Sequence, residues 1–252
     1  MSKPAETGFS GWDEIACPVC GDERFDDLFE LAGEPFVRCR NCELTLINPR
    51  RPFDQIRAGY NAAYSQGYQR KAPKKLKRSR RRVARLKRDY QLSGRWLDVG
   101  CSAGFVVKAA SEAGFDAWGV DIEAAGIDYG RKNLGLKNLA CGLLHEQQYP
   151  SASFDAISAY DVIEHVPDLN GFVAELKRLL KPEGVIDIGT PDIGHWRVPR
   201  MLKTWNELKP SEHLYYFDRD TLSRLLANHQ LKIVNQWLAL KPGLKVVARH
   251  AS

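Results

Sequence analysis

From Gly94 onward, short apolar runs alternate with amphipathic stretches, and that alternation constrains the fold more than any other feature of this 252-residue chain. Runs at 95–100, 117–122, 154–160, 184–189, 231–238 and 244–248 have the length and composition of strands, with a weaker one at 138–143. Between them, 103–113, 124–134, 169–180 and 221–229 carry helical periodicity. Strands separated by helices pair in parallel, so the expected fold class is α/β, a doubly wound and mostly parallel sheet. Ligands of such a sheet bind off the carboxyl ends of its strands. At 44% hydrophobic residues, the chain can bury one substantial core and still carry a small appended module.

The module is expected at residues 1–50, followed by a helical connector at 51–93 and the α/β unit at 94–252. Cys17-x-x-Cys20, eighteen residues, then Cys39-x-x-Cys42 places two thiolate pairs at the spacing of a tetrahedral zinc site. Two separate redox dithiols are the alternative. No apolar run approaches the ~18 residues of a membrane span. The start, MSKPAETGFSGWDE, lacks the apolar core of a secretory leader. A soluble, cytoplasmic protein with reduced thiols is therefore expected, and Cys101 and Cys141 read as thiols outside the metal pattern.

The segment 96–104, WLDVGCSAG, runs from an apolar strand into a small-residue turn and then a helix. Small residues let a ligand approach the backbone closely. Some twenty residues on, Asp121 ends the next strand, where a carboxylate can accept both hydroxyls of a ribose. A dinucleotide fingerprint fails here, because Ser102 and Phe105 stand where its second and third glycines belong. Asp98 would repel a pyrophosphate but suits a ligand that carries an ammonium group.

The ordered series LDVGCSAG, GVDI, FDAISAYDVIEHVPD and LLKPEGVIDIGTP, within roughly 94–191, resembles the motif set of class I S-adenosylmethionine-dependent methyltransferases. The resemblance implies a Rossmann-like fold and S-adenosylmethionine as cofactor. It assigns Asp98, Gly100, Cys101 and Gly104 to the methionine part, Asp121 to the ribose, and Ile122 to the adenine face. Tyr160 and Tyr64 are further candidates for the cofactor site, Tyr64 together with Tyr60 as a cover. Many relatives read the adenine amino group with an acid after the third strand, where this chain has Cys141-Gly142-Leu143-Leu144.

Asp161, Glu164 and His165 match the acid-x-x-Glu-His pattern of ubiquinone-pathway O-methyltransferases. Methyl transfer to a hydroxyl needs proton removal, which a histidine can perform with an acid to orient it or a divalent metal to help ionise the oxygen. His213, in SEHLYYF, is a second candidate base, since similar enzymes carry His-Leu-x-x-Phe after the fifth strand. The long connection from 191 to 216 is expected to form the acceptor surface. The run 38–49 resembles the N-terminal zinc module of bacterial methyltransferases linked to sugars, lipids or secondary metabolites.

Twelve of the 37 Lys and Arg residues lie between Arg70 and Arg88, with no acid among them, so the net charge of +6 is a local feature. Leu76, Val83, Leu86 and Tyr90 form one apolar stripe on that segment, which reads as a helix packed on the sheet. Its basic face leaves three partners open: an anionic acceptor, nucleic acid, or peripheral contact with a membrane surface. The expected acceptor is a small molecule, saccharide or lipid precursor. An RNA or protein methyltransferase, and a cofactor-binding adaptor without catalysis, are the rival readings.

Overall fold

The computed structural model describes residues 11–53, 55 and 68–251. The chain opens with an antiparallel meander of β1 (Phe25–Leu31), β2 (Glu34–Cys39) and β3 (Thr45–Ile47). The long basic helix α1 (Tyr68–Tyr90) follows. Then come β4 (Arg95–Val99), α2 (Phe105–Glu112), β5 (Asp116–Asp121), α3 (Ala124–Leu134), β6 (Leu139–Cys141) and β7 (Phe154–Tyr160). The chain continues through α4 (Leu169–Leu179), β8 (Leu180–Thr190), β9 (Tyr215–Tyr216), α5 (Arg219–Asn228), β10 (Leu231–Gln236) and β11 (Leu244–His250).

Seven strands form one sheet in the order β10-β11-β8-β7-β4-β5-β6. The pairs among β8, β7, β4, β5 and β6 are parallel, and β11 lies antiparallel between β8 and β10. This is the expected doubly wound sheet, with β4 and β7 adjacent at its centre. Several boundaries differ from the sequence reading, two of them with a clear local cause. Gly104 takes a left-handed φ of +76°, so α2 begins at Phe105 rather than at 103, and Leu180 opens β8 instead of closing a helix.

Each face of the sheet has its own core. Beneath α1 and α2, Val83 and Leu86 meet Trp96, Ala117, Ala156, Val185 and Val247. Beneath α4 and α5, Leu176 and Leu225 meet Leu97, Ile157, Ile186 and Val246, and this second core runs on into Cys17, Val37, Leu44 and Leu46 of the N-terminal meander.

The meander is completed by a strand from far along the chain. β9 pairs antiparallel with β3 (Thr45↔Tyr216, Leu46↔Tyr215), giving a second sheet in the order β1-β2-β3-β9. Buried polar groups fasten the join, as burial requires of them. Arg50 donates to the Tyr215 hydroxyl at 2.6 Å and to the Pro167 carbonyl at 2.9 Å. Glu34, 1% exposed, accepts from the Ser211 amide at 2.5 Å and from the Ser211 hydroxyl. The Asn170 and Asn228 amides donate to the Pro18 and Val19 carbonyls.

Much of the charge on α1 is engaged in seating it. Arg80 forms a two-pronged pair with Glu112, and Lys87 donates to the Ala113 carbonyl. Arg82 lies 4.0 Å over the Tyr160 ring and Arg85 3.7 Å over Trp237, at the short end of cation–π contacts. Among the described residues no helix is long and apolar enough to cross a membrane.

Replacing Glu34 by Ala leaves the Ser211 amide without its acceptor, and chemical denaturation should register a loss of about 1–3 kcal/mol. Hydrogen exchange should quicken at Ser211 before it does in β4 or β7; unchanged protection there would show that the clamp contributes nothing.

Candidate functional site

The turn after β4 is built from left-handed residues, with φ of +68° at Gly100, +50° at Ser102 and +76° at Gly104. Glycine is required at both ends for more than φ. A Cβ on Gly100 would sit 2.2 Å from a Val162 methyl, and one on Gly104 2.5 Å from a Leu136 methyl. Asp121, at the end of β5, holds the turn from the side, accepting from the Ser102 amide at 2.7 Å and the Glu123 amide at 2.8 Å. Burial raises its carboxyl above the ordinary range, and those amide bonds work against that. Ile122 is half-buried, and its carbonyl lies 3.8 Å from the Cys141 sulfur; Cys101 is buried inside the turn.

Asp98 lies beneath this turn rather than in it. It is 3% exposed and accepts from the Ser158 hydroxyl at 2.6 Å, while Ser158 in turn accepts from Trp96 Nε1 at 3.0 Å. Burial pushes the Asp98 carboxyl up to about 7, with the Ser158 bond opposing. Tyr160 points its hydroxyl along the same face and donates to Asp187, a buried acid pushed up to about 6 by desolvation against the pull of Tyr160, Arg82 and Arg85. Tyr64, with Tyr60, lies outside the described residues.

After β7 the chain makes a sharp turn at Asp161, φ +56°, and a single helical turn over Ile163–His165. Glu164 is fully buried. Thr190, at the end of β8, donates to its Oε2 at 2.9 Å, whereas Oε1 has no hydrogen-bond partner. Burial, reinforced by the Asp161 charge, pushes Glu164 up to about 8, so it carries a proton at neutral pH. His165 Nδ1 stands 2.7 Å from the Glu212 carbonyl. A carbonyl only accepts, so Nδ1 bears the hydrogen, and Nε2, 3.9 Å from Glu164 Oε1, is the ring nitrogen that carries the lone pair. Burial lowers the His165 pKa, so the ring is neutral at pH 7.

His213 packs edge-on against His165, ring centroids 4.6 Å apart. It is 2% exposed, and its Nδ1 is buried without a partner. Burial first, then repulsion from His165, pushes it down to about 3. The ligand-capable atoms of Glu164, His165 and His213 all lie within 4.8 Å of one another. Asp161 stays outside that group with an exposed side chain. Sequence reasoning passed over Thr190, Ser158 and Asp187; lone polar residues within apolar strand runs were the available sign of them.

The four N-terminal cysteines form a second cluster. Cys17 and Cys42 sulfurs are 3.4 Å apart, as are those of Cys20 and Cys39, and all four lie within 4.8 Å. None is in a disulfide. Tetrahedral zinc with bonds of about 2.3 Å sets its sulfurs about 3.8 Å apart, so the donor set and spacing fit that ion.

The comparisons with known proteins agree with this geometry. The family described as "Methyltransferase domain" matches residues 68–236. Among curated proteins, the ubiquinone biosynthesis O-methyltransferase of Rhodopseudomonas palustris strain TIE-1 is 31% identical over 99 residues, 38% of this chain and 39% of that one. The protein of that description from strain BisB18 is 28% identical over 165 residues, 58% of this chain and 61% of its own. The chain thus spans less than two thirds of the length of these relatives. Among solved structures, the Burkholderia thailandensis 1,6-didemethyltoxoflavin-N1-methyltransferase, with 1,6-didemethyltoxoflavin and S-adenosylhomocysteine bound, superposes with a TM-score of 0.63. Its identity is 16%, covering 90% of this chain and 100% of that one. A Bacteroides fragilis S-adenosylmethionine-dependent methyltransferase in complex with S-adenosylhomocysteine gives 0.53 at 20% identity, covering 69% and 77%. These likenesses show a shared fold, and the match over well more than half of its length shows that this chain belongs to the methyltransferase-domain family.

Proposed function

We propose that the protein transfers a methyl group from S-adenosylmethionine to an oxygen of a small molecule, saccharide or lipid precursor. The carrying observation is that the Gly100–Gly104 turn with Asp121 and the Glu164–His165 pair share the carboxyl edge of adjacent central strands. S-adenosylmethionine supplies a methyl group on a sulfonium sulfur, and the acceptor oxygen forms its C–O bond as the C–S bond breaks. Gly100, Cys101 and Gly104 offer backbone to the methionine part, and Asp98 supports them from below. Each Asp121 oxygen keeps a lone pair beyond its amide bond, which suits it to the ribose hydroxyls. Ile122 offers an apolar surface to the adenine, and Tyr160 contributes a ring to the floor.

On the acceptor side, His165 is the better-placed base. Its side chain is 20% exposed, its tautomer is fixed by the Glu212 carbonyl, and its Nε2 can take the acceptor proton. His213, at 2% exposure, supports the His165 ring instead of reaching an acceptor. A divalent metal is the alternative to that base: Glu164 Oε1, His213 Nδ1 and His165 Nε2 would hold it, with Nε2 then committed to the metal, and the metal in place of the imidazole would acidify the acceptor hydroxyl. At the N-terminus, Cys17, Cys20, Cys39 and Cys42 hold a structural zinc. The nucleic-acid reading is disfavoured because Arg80, Arg82, Arg85 and Lys87 are engaged within the fold.

The test is transfer of labelled methyl into separated pools of metabolites, saccharides, lipids, RNA and protein. Label should enter a non-nucleic-acid pool, and label in RNA would overturn the acceptor assignment. With that acceptor, His165→Ala should lower kcat by about 10²–10⁴-fold while S-adenosylhomocysteine binds as before. Because the neutral ring is the active form and burial lowers its pKa, kcat/KM should fall only at pH below the ordinary histidine range; a full-rate H165A enzyme would dismiss the base. Asp121→Ala should weaken S-adenosylhomocysteine by about 1.5–3 kcal/mol in titration calorimetry, and unchanged affinity would remove Asp121 from the cofactor site. Elemental analysis should find stoichiometric zinc in the purified chain and its loss in Cys20→Ser, with no zinc in either ruling out the ribbon metal.

A further inference from the structure

Five large apolar side chains stand exposed among the described residues: Trp196, Met201, Val234, Leu238 and Leu240. Scattered singly, such residues need no explanation. Four of them, however, lie on two loops, the connection after β8 and the turn between β10 and β11. Those loops are tied to each other: His195 Nε2 donates to the Ala239 carbonyl at 2.9 Å and Arg197 to the Leu240 carbonyl at 2.7 Å. Arg197 N–H in turn donates to His195 Nδ1 at 3.1 Å, so one histidine braces both loops. The result is a held tip that carries Trp196, Leu238 and Leu240 at 75%, 93% and 74% exposure.

The two loops themselves carry charge of one sign, although Asp192 and Asp218 lie beside Gly194 at the foot of the first. Residues 193–206 and 232–251 contain no Asp or Glu in a chain that has 31. Arg197, whose guanidinium lies 4.6 Å over the Trp196 ring, and Lys241 flank the apolar side chains, and Arg200 and Lys203 follow on the same loop. Side chains this exposed project outward and form no groove, so they lack the walls of a shaped protein-binding pocket. A tryptophan and two leucines ringed by bases match a lipid interface, where the apolar groups enter at headgroup depth and the cations meet phosphates. The tip also lies at the same end of the sheet as Glu164: β11 begins at Leu244, paired with Thr190, and Thr190 donates to Glu164.

We propose that this tip seats the protein on an anionic bilayer, with the acceptor being a membrane-resident amphiphile that carries a hydroxyl. The bilayer contact stands on the surface alone; the acceptor class rests on the methyl-transfer reading. The test is co-sedimentation of the full chain with phosphatidylcholine vesicles with and without phosphatidylglycerol, at low and high salt. Binding should require phosphatidylglycerol and weaken with salt, and brominated lipid should quench the wild-type chain more than Trp196→Phe. The triple variant Trp196→Ser/Leu238→Ser/Leu240→Ser should bind such vesicles at least about tenfold more weakly while keeping its affinity for S-adenosylhomocysteine. No binding to anionic vesicles would overturn the proposal. So would undiminished binding by the triple variant, which would move lipid affinity to α1, and so would wild-type dimerisation abolished by the same substitutions, which would make the tip a self-association surface. Failure of methyl transfer with vesicle binding intact would instead strike at the catalytic reading.

Discussion

A three-stranded meander leaves the outer edge of β3 without hydrogen-bond partners, and Thr45 and Leu46 on that edge are buried, where water cannot serve instead. Tyr215 and Tyr216 supply the missing partners. Their position then fixes the reacting side of the molecule through backbone alone. The Ile47 amide donates to the Leu214 carbonyl, and the Leu214 amide donates to the Glu164 carbonyl. Three residues upstream of Tyr215, the Glu212 carbonyl sets the His165 tautomer. The cysteine module thus acts as a template for the loop that orients the imidazole.

The electrostatics of the catalytic sheet depend on burial more than on pairing. Asp98, Asp187 and Glu164 are each raised toward or past neutrality because desolvation outweighs the hydrogen bonds they accept. On the face of β7 and β8 beneath α1, Arg82, Arg85 and Lys245 offset part of that cost at Asp187. The basic run therefore has a role inside the fold, which its composition could not reveal. A run of twelve cations with no acid between Arg70 and Arg88 looks like a solvated or nucleic-acid-binding surface until one sees which of its side chains turn inward.

The mostly parallel sheet and the placement of Gly100, Gly104, Asp121, Glu164 and His165 at its strand ends were legible in the sequence because each has a local cause. Period-2 and helical patterning locate elements, and glycines mark a turn where a Cβ cannot fit. β9 was not legible: two residues carry no periodicity, and their pairing depends on an edge formed about 170 residues earlier. The same limit concealed the difference between His165 and His213, since both motifs read as candidate bases. Only packing distinguishes a partly open imidazole from one sealed at 2% exposure.

The bonds that join the cysteine module to the rest of the chain span 209 residues between Asn228 and Val19, 177 between Ser211 and Glu34, and 165 between Tyr215 and Arg50. On the ribosome, the cysteine module therefore emerges long before the segments that complete it. Until residue 216 is made, β3 presents an open strand edge to whatever else is nearby, and closing loops of that length slows the search for the native partner. The arrangement withholds the completed candidate-site loop from shortened chains: a product that ended before Glu212 would lack both His213 and the Glu212 carbonyl, and its exposed β3 edge would mark it as unfinished.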